Sequence, residues 1–494
     1  MTTTYVNRPQ LDDGGLLRTE MFIGGRWRAA SSGGTFEVRD PATGDVLAEV
    51  ADGGATDGRA AIEAAAAAWP AWKSLTAKQR SAALKRLHGL IVAHSTDLAS
   101  IITAEMGKPR REAAWEVGLA ADYFEWFAEE AKRAYGEVIP THDPSIRLVV
   151  IEQPIGVAVA ITPWNFPLST IARKVAPALA AGCTVIVKPA EDTPLSALAL
   201  AELADRAGIP PGVLNVVTAW DPVEVGNELT ANPTVRKVSF TGSTEVGRML
   251  MRQSSDTLKK LSLELGGNAP FIVFEDANLD AALKGAMISK YRNGGQTCIC
   301  ANRIFVHESV IDEFSRRMSE AASNFKVGRG DDDSSEIGPL INAAALEKVV
   351  RLVEDAIDRG ARVVVGGKPH ELGGTYFQPT VIEGATLDMA IANEEIFGPV
   401  ANLFSFSTEE EAIELANSTP YGLCAYAYTR DAARSWRVSE ALEFGMVGIN
   451  TGMFTTEVVP FGGIKESGIG REGGRQGLRE YMETKYIAMG GIQG

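Results

Sequence analysis

Two of the protein's four cysteines lie within one eight-residue stretch. The stretch reads "NGGQTCIC" at 293–300 and contains Cys298 and Cys300. A cysteine beside glycines can lie on a sharply bent loop, and a thiolate there is the strongest nucleophile that a side chain offers at neutral pH. Most cysteines are only small buried hydrophobic residues, so the stretch alone leaves four alternatives: a nucleophile, half of a metal site, a disulfide, or no role.

The distribution of histidines argues against two kinds of site. A C-x-C pair without a second cysteine or histidine pair is a poor zinc signature, so we expect no metal. No histidine lies in a glycine-bounded turn that would suggest a Cys–His pair, and only His307 lies near a cysteine in the sequence. The full set is His88, His94, His142, His307 and His370.

A carboxylate is then the better candidate for a base. "LELGGN" places Glu264 at the end of a predicted buried strand, immediately before two glycines. A charged side chain in an apolar strand is costly unless it is paired, neutralised or used in chemistry. Burial would raise the pKa of Glu264 towards the range that suits a general base.

A side-chain amide is the next candidate. "TPWNFP" follows a β-rich run, and its two prolines stiffen the loop that carries Asn165 between bulky aromatic residues. Such a loop could present the amide as a hydrogen-bond donor to an oxyanion. An ordinary asparagine in a turn is equally compatible with the pattern.

Two further motifs could bind a dinucleotide, although no G-x-G-x-x-G follows a strand. "FTGSTEVG" ends a strand and opens a helix, and the amides near Gly242 and Ser243 could bind a phosphate. "KPAEDTP" places Lys188 and Glu191 after a strand, where a carboxylate can accept both hydroxyls of a ribose and repel a 2′-phosphate. Each motif alone is also compatible with ordinary loop residues.

These residues must be positioned by the elements around them. Residues 55–135 carry Ala-rich helical patterns, which we interpret as helices packed on a sheet. From residue 147, short apolar runs alternate with helical patterns, which predicts βαβ units and a doubly wound parallel sheet. A second alternating series from "FIVFED" to "MVGIN" predicts another α/β domain. The fold class is therefore α/β, with ligands expected at the carboxyl edges of the strands.

The C-terminal "YMETKYIAMGG" is strand-like but has no partner next to it in the sequence. It is a candidate for pairing with another subunit.

Charge and composition exclude several classes of partner. The net charge is -15 and the pI is about 5.0, with no basic patch, so we expect no binding to nucleic acid or to an anionic membrane. The amino terminus lacks the charged and apolar regions of a signal peptide, and no apolar stretch approaches the roughly 20 residues of a spanning helix. We expect a cytoplasmic protein.

Seven motifs in this order resemble the NAD(P)-dependent aldehyde dehydrogenases: "TPWNFP", "KPAEDTP", "FTGSTEVG", "LELGGN", "GGQTC", "EEIFGP" and "PFGGIKESGIGREGG". The resemblance runs from about residue 20 to the C-terminus. It implies a Rossmann-type cofactor domain (20–138 and 156–263), a catalytic domain (264–460) and a small β oligomerisation element (139–155 and 476–494). A homodimer or homotetramer is expected.

The resemblance also implies roles. Cys298 would be the nucleophile, Glu264 would activate water, and the Asn165 side chain with the Cys298 N–H would form the oxyanion hole. Lys174 and Glu472 match positions thought to assist proton movement. The cofactor would be NAD, favoured over NADP by repulsion between Glu191 and the extra phosphate. The positions matched to the cofactor are Thr162, Pro163, Trp164, Lys188, Glu191, Gly242, Ser243, Gly247, Leu265, Glu395 and Phe397.

Within the family, the chain is most similar to the succinate-semialdehyde dehydrogenases. Arg173 and Arg292 match the two arginines that hold the distal carboxylate of the substrate, a task that suits a planar bidentate cation. Thr455 stands where the subgroup commonly has serine. Glutarate-semialdehyde, 2-oxoglutarate-semialdehyde and broad-specificity or aromatic aldehyde dehydrogenases are the alternatives. Cys300 could trap Cys298 as a regulatory disulfide, or it could be a small wall residue of the substrate pocket.

Overall fold

The structure is a computed structural model that describes residues 9–491. The expectation drawn from the amino terminus rests partly on residues 1–8, and the segment 476–494 ends with residues 492–494. Both of these short terminal stretches lie outside the described residues. Within residues 9–491, no helix is both long enough and apolar enough to cross a membrane.

Strands and helices alternate along most of the chain. The strands are β1 (Met21–Ile23), β2 (Arg26–Arg28), β3 (Thr35–Arg39), β4 (Val46–Ala51), β5 (Glu137–Ile139), β6 (Arg147–Pro154), β7 (Val157–Ile161), β8 (Thr184–Lys188), β9 (Leu214–Val216), β10 (Val235–Thr241), β11 (Lys260–Glu264), β12 (Ala269–Val273), β13 (Ala301–His307), β14 (Arg362–Val365), β15 (Thr380–Glu383), β16 (Val400–Phe406), β17 (Cys424–Tyr428), β18 (Met446–Ile449), β19 (Gly468–Ile469) and β20 (Met482–Met489). The helices are α1 (Ala55–Ser74), α2 (Ala77–Ala93), α3 (Ser95–Met106), α4 (Arg110–Glu130), α5 (Ser169–Ala181), α6 (Leu195–Arg206), α7 (Pro222–Ala231), α8 (Thr244–Ser255), α9 (Leu279–Tyr291), α10 (Ile311–Ser323), α11 (Ala343–Asp358), α12 (Ala390–Asn393), α13 (Glu409–Asn417), α14 (Ala432–Ala441) and α15 (Gly474–Arg479).

The first large sheet has the strand order β19-β11-β10-β7-β8-β9-β1-β2. Its strands from β11 to β9 are parallel, and every residue of β7 and β8 except Ile161 is buried. Continuous apolar runs are typical of strands that are covered on both faces, which is why the sequence predicted this sheet. The chain crosses from β9 back past β7 to β10, so the strand order reverses between β7 and β10. Ligands of doubly wound sheets bind at that reversal.

The second sheet has the order β14-β15-β16-β13-β12-β17-β18, and only its β14–β15 pair is antiparallel. It corresponds to the second alternating series of the sequence. The predicted α/β class with parallel sheets is confirmed.

A third sheet joins the two segments that the resemblance assigns to one β element, 139–155 and 476–494. β20 pairs antiparallel with β6 of the same chain, from Met482 opposite Pro154 to Met489 opposite Arg147. β5 adds to the other edge of β6, so the hairpin begins at Glu137, two residues before the predicted segment. The partner of the C-terminal strand is therefore distant in sequence but lies within the chain.

The helical region also differs from the simple prediction. Helices α1 to α4 do form, and α2 begins with a reciprocal capping box between Thr76 and Gln79. However, α4 does more than cover the sheet. It packs against α5, and its residues Trp115 and Leu119 line the cavity described below.

Candidate active site

A cavity of about 380 Å³ lies between the two large sheets. Its walls come from the loop after β7, the start of α8, the end of β11 and the loop before β13. The carboxyl edge of the first sheet therefore faces the loop of the second domain that carries the predicted nucleophile. Predicted site residues that line it are Pro163, Trp164, Asn165, Arg173, Gly242, Ser243, Leu265, Arg292, Cys298, Glu395, Phe397 and Thr455.

The loop that carries Cys298 is bent as its glycines predict. Asn293, Gly294 and Gly295 take successive left-handed conformations with φ of 54°, 62° and 78°. A Cβ on Gly295 would lie 2.1 Å from the carbonyl oxygen of Gly398, so only glycine fits there. The loop thus turns sharply and directs Cys298 into the cavity.

The surroundings of the Cys298 thiol disfavour its thiolate form. Burial raises its pKa to about 12, and the nearby Glu395 carboxylate adds to the rise. Arg173 and Arg292 oppose it, but burial prevails. The expected thiolate therefore forms only when a base removes the proton during reaction.

Asn165 is buried, and hydrogen bonds fix both its side-chain amide and its main-chain carbonyl group. Its Nδ2 donates to the carbonyl oxygen of Gln296 at 3.0 Å. Its own carbonyl oxygen accepts from Lys108 Nζ at 2.7 Å and from Asn293 Nδ2 at 3.0 Å. One hydrogen of the Nδ2 group remains for a further acceptor in the cavity.

Glu264 lies buried at the end of β11, as predicted. Burial raises the pKa of its carboxyl group well above the usual range, and the Glu472 carboxylate adds to the rise. Gly462 lies so close that a Cβ there would come within 2.6 Å of Glu264 Oε1. Burial and the Glu472 carboxylate therefore both favour the neutral form of the Glu264 carboxyl group, and a carboxyl group with a raised pKa suits proton transfer.

Lys174 and Glu472, which are remote in sequence, meet beneath this carboxyl group. They form a fully buried ion pair, and Lys174 Nζ also donates to Thr241 Oγ1 at 2.7 Å. Glu472 Oε1 accepts from Ser239 Oγ at 3.3 Å. Both charges contribute to the field at Glu264, with Lys174 lowering its pKa and Glu472 raising it.

Arg173 and Arg292 reach the same cavity from different elements. The Arg173 guanidinium lies 4.0 Å from the centre of the Phe461 ring, and its NH1 lies 3.7 Å from Glu472 Oε2. The Arg292 guanidinium lies 4.9 Å from the centre of the Trp115 ring. Among residues 9–491, Arg173 Nε and Thr455 Oγ1 are buried without a hydrogen-bond partner. Two cations and an unpartnered hydroxyl are groups that can bind an anion.

Arg173 also has a negative partner within the protein. Its NH1 lies 3.7 Å from Glu472 Oε2. The carboxylate partly balances the Arg173 charge.

On the cofactor side, the glycines near the start of α8 make close contacts within the protein. The N–H of Gly242 donates to the Glu264 carbonyl oxygen at 3.1 Å and is not free for a phosphate. Ser243 instead caps α8, accepting from the N–H of Val246 at 3.3 Å. A Cβ on Gly247 would lie 2.4 Å from the Leu265 side chain, so this glycine lets α8 pack closely on Leu265.

Four predicted cofactor residues are not among the residues that line the cavity: Gly247, Thr162, Lys188 and Glu191. Thr162 is buried next to β8, with its N–H donating to the Lys188 carbonyl oxygen at 3.1 Å. Lys188 is buried as well, and its Nζ lies 3.7 Å from Glu191 Oε2. Glu191 borders a neighbouring hollow of about 670 Å³ that shares Ile341 with the cavity. The groups expected to bind the adenosine half thus lie next to the cavity and outside it.

Cys300 does not form the cavity wall that one interpretation assigned to it. The cavity is bordered by Cys298 and Ile299, whereas the Cys300 sulfur donates to the Lys290 carbonyl oxygen at 3.3 Å. Both cysteines are free thiols here. A disulfide between them remains a prediction.

Several lining residues carried no signal that the sequence analysis used. Trp115 and Leu119 come from α4, Phe461 from the segment after β18, and Ile341 and Lys348 from the region around the start of α11. For α4 a signal did exist. Glu112 and Glu116 stand one helical turn apart on a largely apolar helix, and a carboxylate that such a helix buries, as α4 buries Glu116, needs partners.

Comparisons with known proteins agree with this geometry. A family model described as "Aldehyde dehydrogenase family" matches residues 27–487. A glutarate-semialdehyde dehydrogenase of Pseudomonas aeruginosa is 54% identical over 98% of this chain and 100% of its own. A succinate-semialdehyde dehydrogenase [NADP(+)] of Escherichia coli is 54% identical over 97% of this chain and 100% of its own. The crystal structure of a succinate-semialdehyde dehydrogenase from Burkholderia pseudomallei matches with a TM-score of 0.96 at 57% identity, covering 97% of this chain and 99% of that chain.

Proposed function

The chain belongs to the aldehyde dehydrogenase family, and we propose that it oxidises an ω-semialdehyde acid, most specifically succinate semialdehyde to succinate, with a nicotinamide cofactor. The observation that carries the substrate class is the pairing of Arg173 and Arg292 with the unpartnered Thr455 hydroxyl in the cavity of Cys298. A substrate with an aldehyde at one end and a carboxylate at the other matches both sets of groups.

In the proposed first step, Cys298 forms a covalent bond to the substrate. Its Sγ adds to the aldehyde carbon, and the carbonyl electron pair moves to the oxygen to give a thiohemiacetal oxyanion. The Asn165 amide and the Cys298 N–H would stabilise this charge. Because the thiol is neutral at rest, its proton must pass to a base as the bond forms. Glu264 and Glu395 are the carboxylates whose charges act on it.

The residues of the cofactor side fit a dinucleotide. Trp164 meets Phe397 edge to face at 5.5 Å, and Glu395, with a pKa raised to about 7 by burial, faces the same space. When bound, the cofactor supplies the acceptor for the hydride that leaves the former aldehyde carbon, and the C=O bond that re-forms there gives a thioester to Cys298. Trp164, Ser243 and Leu265 would lie around the dinucleotide. Glu395 and Phe397 would hold its nicotinamide ribose and ring, and Lys188 and Glu191 its adenosine ribose.

In the proposed second step, Glu264 removes a proton from water, which attacks the thioester and releases the acid and the thiol. Lys174 and Glu472 would move that proton away from Glu264. Their buried ion pair next to the base supports the assignment.

A substrate panel tests the proposal. Succinate semialdehyde, glutarate semialdehyde, benzaldehyde and acetaldehyde would each be assayed with NAD and with NADP, and kcat/KM compared. We expect succinate semialdehyde with NAD to give the highest value, because Glu191 would repel a 2′-phosphate. A best substrate without a carboxylate would refute the substrate class.

Glutarate semialdehyde is the main alternative substrate. A relative named for it is as similar to this chain as one named for succinate semialdehyde. The same panel tests the choice between NAD and NADP, because the relative named for succinate semialdehyde is also named for NADP. A homodimer or homotetramer and a cytoplasmic location are further predictions.

A further inference from the structure

Lys108 is a fully buried lysine directly behind the cavity. It lies between α3 and α4, and its side chain has no exposed surface. Its Nζ donates to Glu116 Oε2 at 2.6 Å and to the Asn165 carbonyl oxygen at 2.7 Å, and it lies 3.9 Å from the centre of the Phe166 ring. A buried ammonium group is costly unless it is paired and hydrogen-bonded, so these partners fix its position.

Glu116 ties this lysine to the helix that carries the substrate arginine. Its second oxygen, Oε1, accepts from the N–H groups of Leu168 at 2.9 Å and Ser169 at 3.1 Å, at the start of α5. A carboxylate is favourable at a helix N-terminus because the unpaired amides carry partial positive charge. One salt bridge therefore connects α4, the Asn165 loop and α5.

One helical turn earlier, Glu112 holds the nucleophile loop. Its Oε2 accepts from the N–H of Asn293 at 2.7 Å. Asn293 is the first left-handed residue of that loop, and its side chain donates to the carbonyl oxygens of Asn165 and Gln296. The loop of Asn165 and the loop of Cys298 are thus joined to each other and to the same face of α4.

The Asn165 side chain has little freedom of its own. Its carbonyl oxygen accepts two hydrogen bonds, from Lys108 and Asn293, which orient the peptide group. One Nδ2 hydrogen is used by Gln296, so the direction of the remaining hydrogen depends on how that backbone is held. An oxyanion donor is effective only within a narrow range of position.

We propose that Lys108 is a positioning residue for the reaction, holding the Asn165 main chain so that the Asn165 amide donates to the substrate oxyanion. Lys108 does not touch the substrate. The inference rests on the proposed aldehyde oxidation and adds to it the group that sets the geometry of the oxyanion donor.

A double-mutant cycle tests this role. Formation of the acyl-enzyme is measured with 4-nitrophenyl acetate, an activated ester that acylates a thiol without a hydride acceptor. The cycle compares the full-length wild type with Lys108→Met, Asn165→Ala and the double variant. Lys108→Met should slow acylation by about 10²-fold, as expected for a misplaced donor. In the Asn165→Ala background, the same change should alter the rate by no more than about threefold.

The outcomes separate two failures. If Asn165→Ala acylates as fast as the wild type, the proposed oxyanion hole is wrong. If Asn165→Ala is slow but Lys108→Met slows both backgrounds by the same factor, Lys108 acts on general stability and the positioning role is wrong.

A matched control is available elsewhere in the chain. Lys259 is also a buried lysine. Its Nζ donates to the main-chain carbonyl oxygens of Asn232 at 2.7 Å and Val235 at 2.9 Å. Val235 is the first residue of β10, at the end of the strand away from the cavity. Lys259→Met should lower the melting temperature and leave the acylation rate of the folded enzyme unchanged. A comparable loss of acylation in this variant would overturn the proposal.

Glu112 provides a milder pair of variants should Lys108→Met fail to fold. Glu112→Gln keeps an oxygen acceptor for the Asn293 N–H, whereas Glu112→Ala removes it. We expect Glu112→Ala to reduce kcat for acylation with little change in KM, and Glu112→Gln to restore most of it. Equal acylation rates for both variants and the wild type would contradict the proposal that α4 positions the loops of Asn165 and Cys298.

Discussion

The cavity has two ends with opposite electrostatic character. The reaction end consists of Cys298 and Asn165 in the cavity wall and of Glu264, which is buried and is not among the lining residues. Burial raises the pKa of the Cys298 thiol to about 12 and also raises the pKa of the Glu264 carboxyl group. The anion end, formed by Arg173, Arg292 and Thr455, contains two cations and an unpartnered hydroxyl.

The difference shows how one small volume can bind an anion and still generate a nucleophile. Burial disfavours the charged forms of Cys298 and Glu264, which limits their competition with an anion for the two arginines. In the proposed function, the two arginines of the anion end would orient the substrate before reaction. Glu472 contacts both ends, since it lies beside Arg173 and adds to the field at Glu264.

The largest effect should come from removing the nucleophile. Cys298→Ala should lower kcat by roughly 10⁵-fold, because no other group can form the covalent intermediate. Steady-state NADH or NADPH production measures it. Cys300→Ala makes the same chemical change two residues away, on a side chain that points out of the cavity, and should keep most activity. Near-normal turnover in Cys298→Ala would show that Cys298 is not the nucleophile.

The next effect concerns the second step. Glu264→Gln should slow hydrolysis of the thioester by about 10³-fold, the usual contribution of a general base. Acylation should still occur, so a burst of one reduced cofactor per active site should precede a very slow steady state. Absence of the burst would mean that Glu264 is needed for the first step as well.

The same base predicts a pH profile. The folded pKa of Glu264 is raised by burial and by Glu472, and only the deprotonated form can accept a proton. Deacylation should therefore increase as pH rises through the raised pKa and level off above it. Glu472→Gln removes the negative charge that raises the pKa of Glu264. The pKa of Glu264 should therefore fall, and the rise in deacylation should move to lower pH. If the rise in deacylation occurs at the same pH in Glu472→Gln as in the wild type, the Glu472 carboxylate does not raise the pKa of Glu264.

At the anion end, the two arginines should respond differently. Arg292→Met should raise KM for succinate semialdehyde by about 10- to 100-fold, the value of a hydrogen bond to a charged group, with a smaller effect on acetaldehyde. Arg173→Met should change kcat as well, because Arg173 also borders Glu472 and Glu264. Equal losses with succinate semialdehyde and acetaldehyde in Arg292→Met would argue against carboxylate binding.

The smallest effect is expected from Thr455→Ser, which keeps the hydroxyl and removes one methyl group. The change should shift the ratio of kcat/KM for glutarate and succinate semialdehydes by about threefold, the value of one buried methyl group. Thr455→Val provides the control, since it keeps the volume and removes the hydroxyl. It should weaken binding of both acids.

Much of the fold and of the reaction end could be predicted from sequence. Continuous apolar strands predict a parallel sheet, and residues such as Glu264 and Asn165 follow those strands directly, so their placement at one edge follows from topology. The bent loop before Cys298 could be predicted because few residues other than glycine adopt left-handed conformations. The family resemblance drawn from seven motifs is confirmed by the matching family model and relatives.

The contacts that the sequence could not specify join residues far apart in the chain. These include the partner of β20, the Glu472 carboxylate beside Arg173 and Lys174, and the face of α4 against the two loops. The sequence by itself determined the chemistry, because few residue types can act as nucleophile, base or amide donor. The tertiary structure decided which charges meet and which thiol faces the cavity, because burial and pairing depend on packing between segments that no local pattern relates.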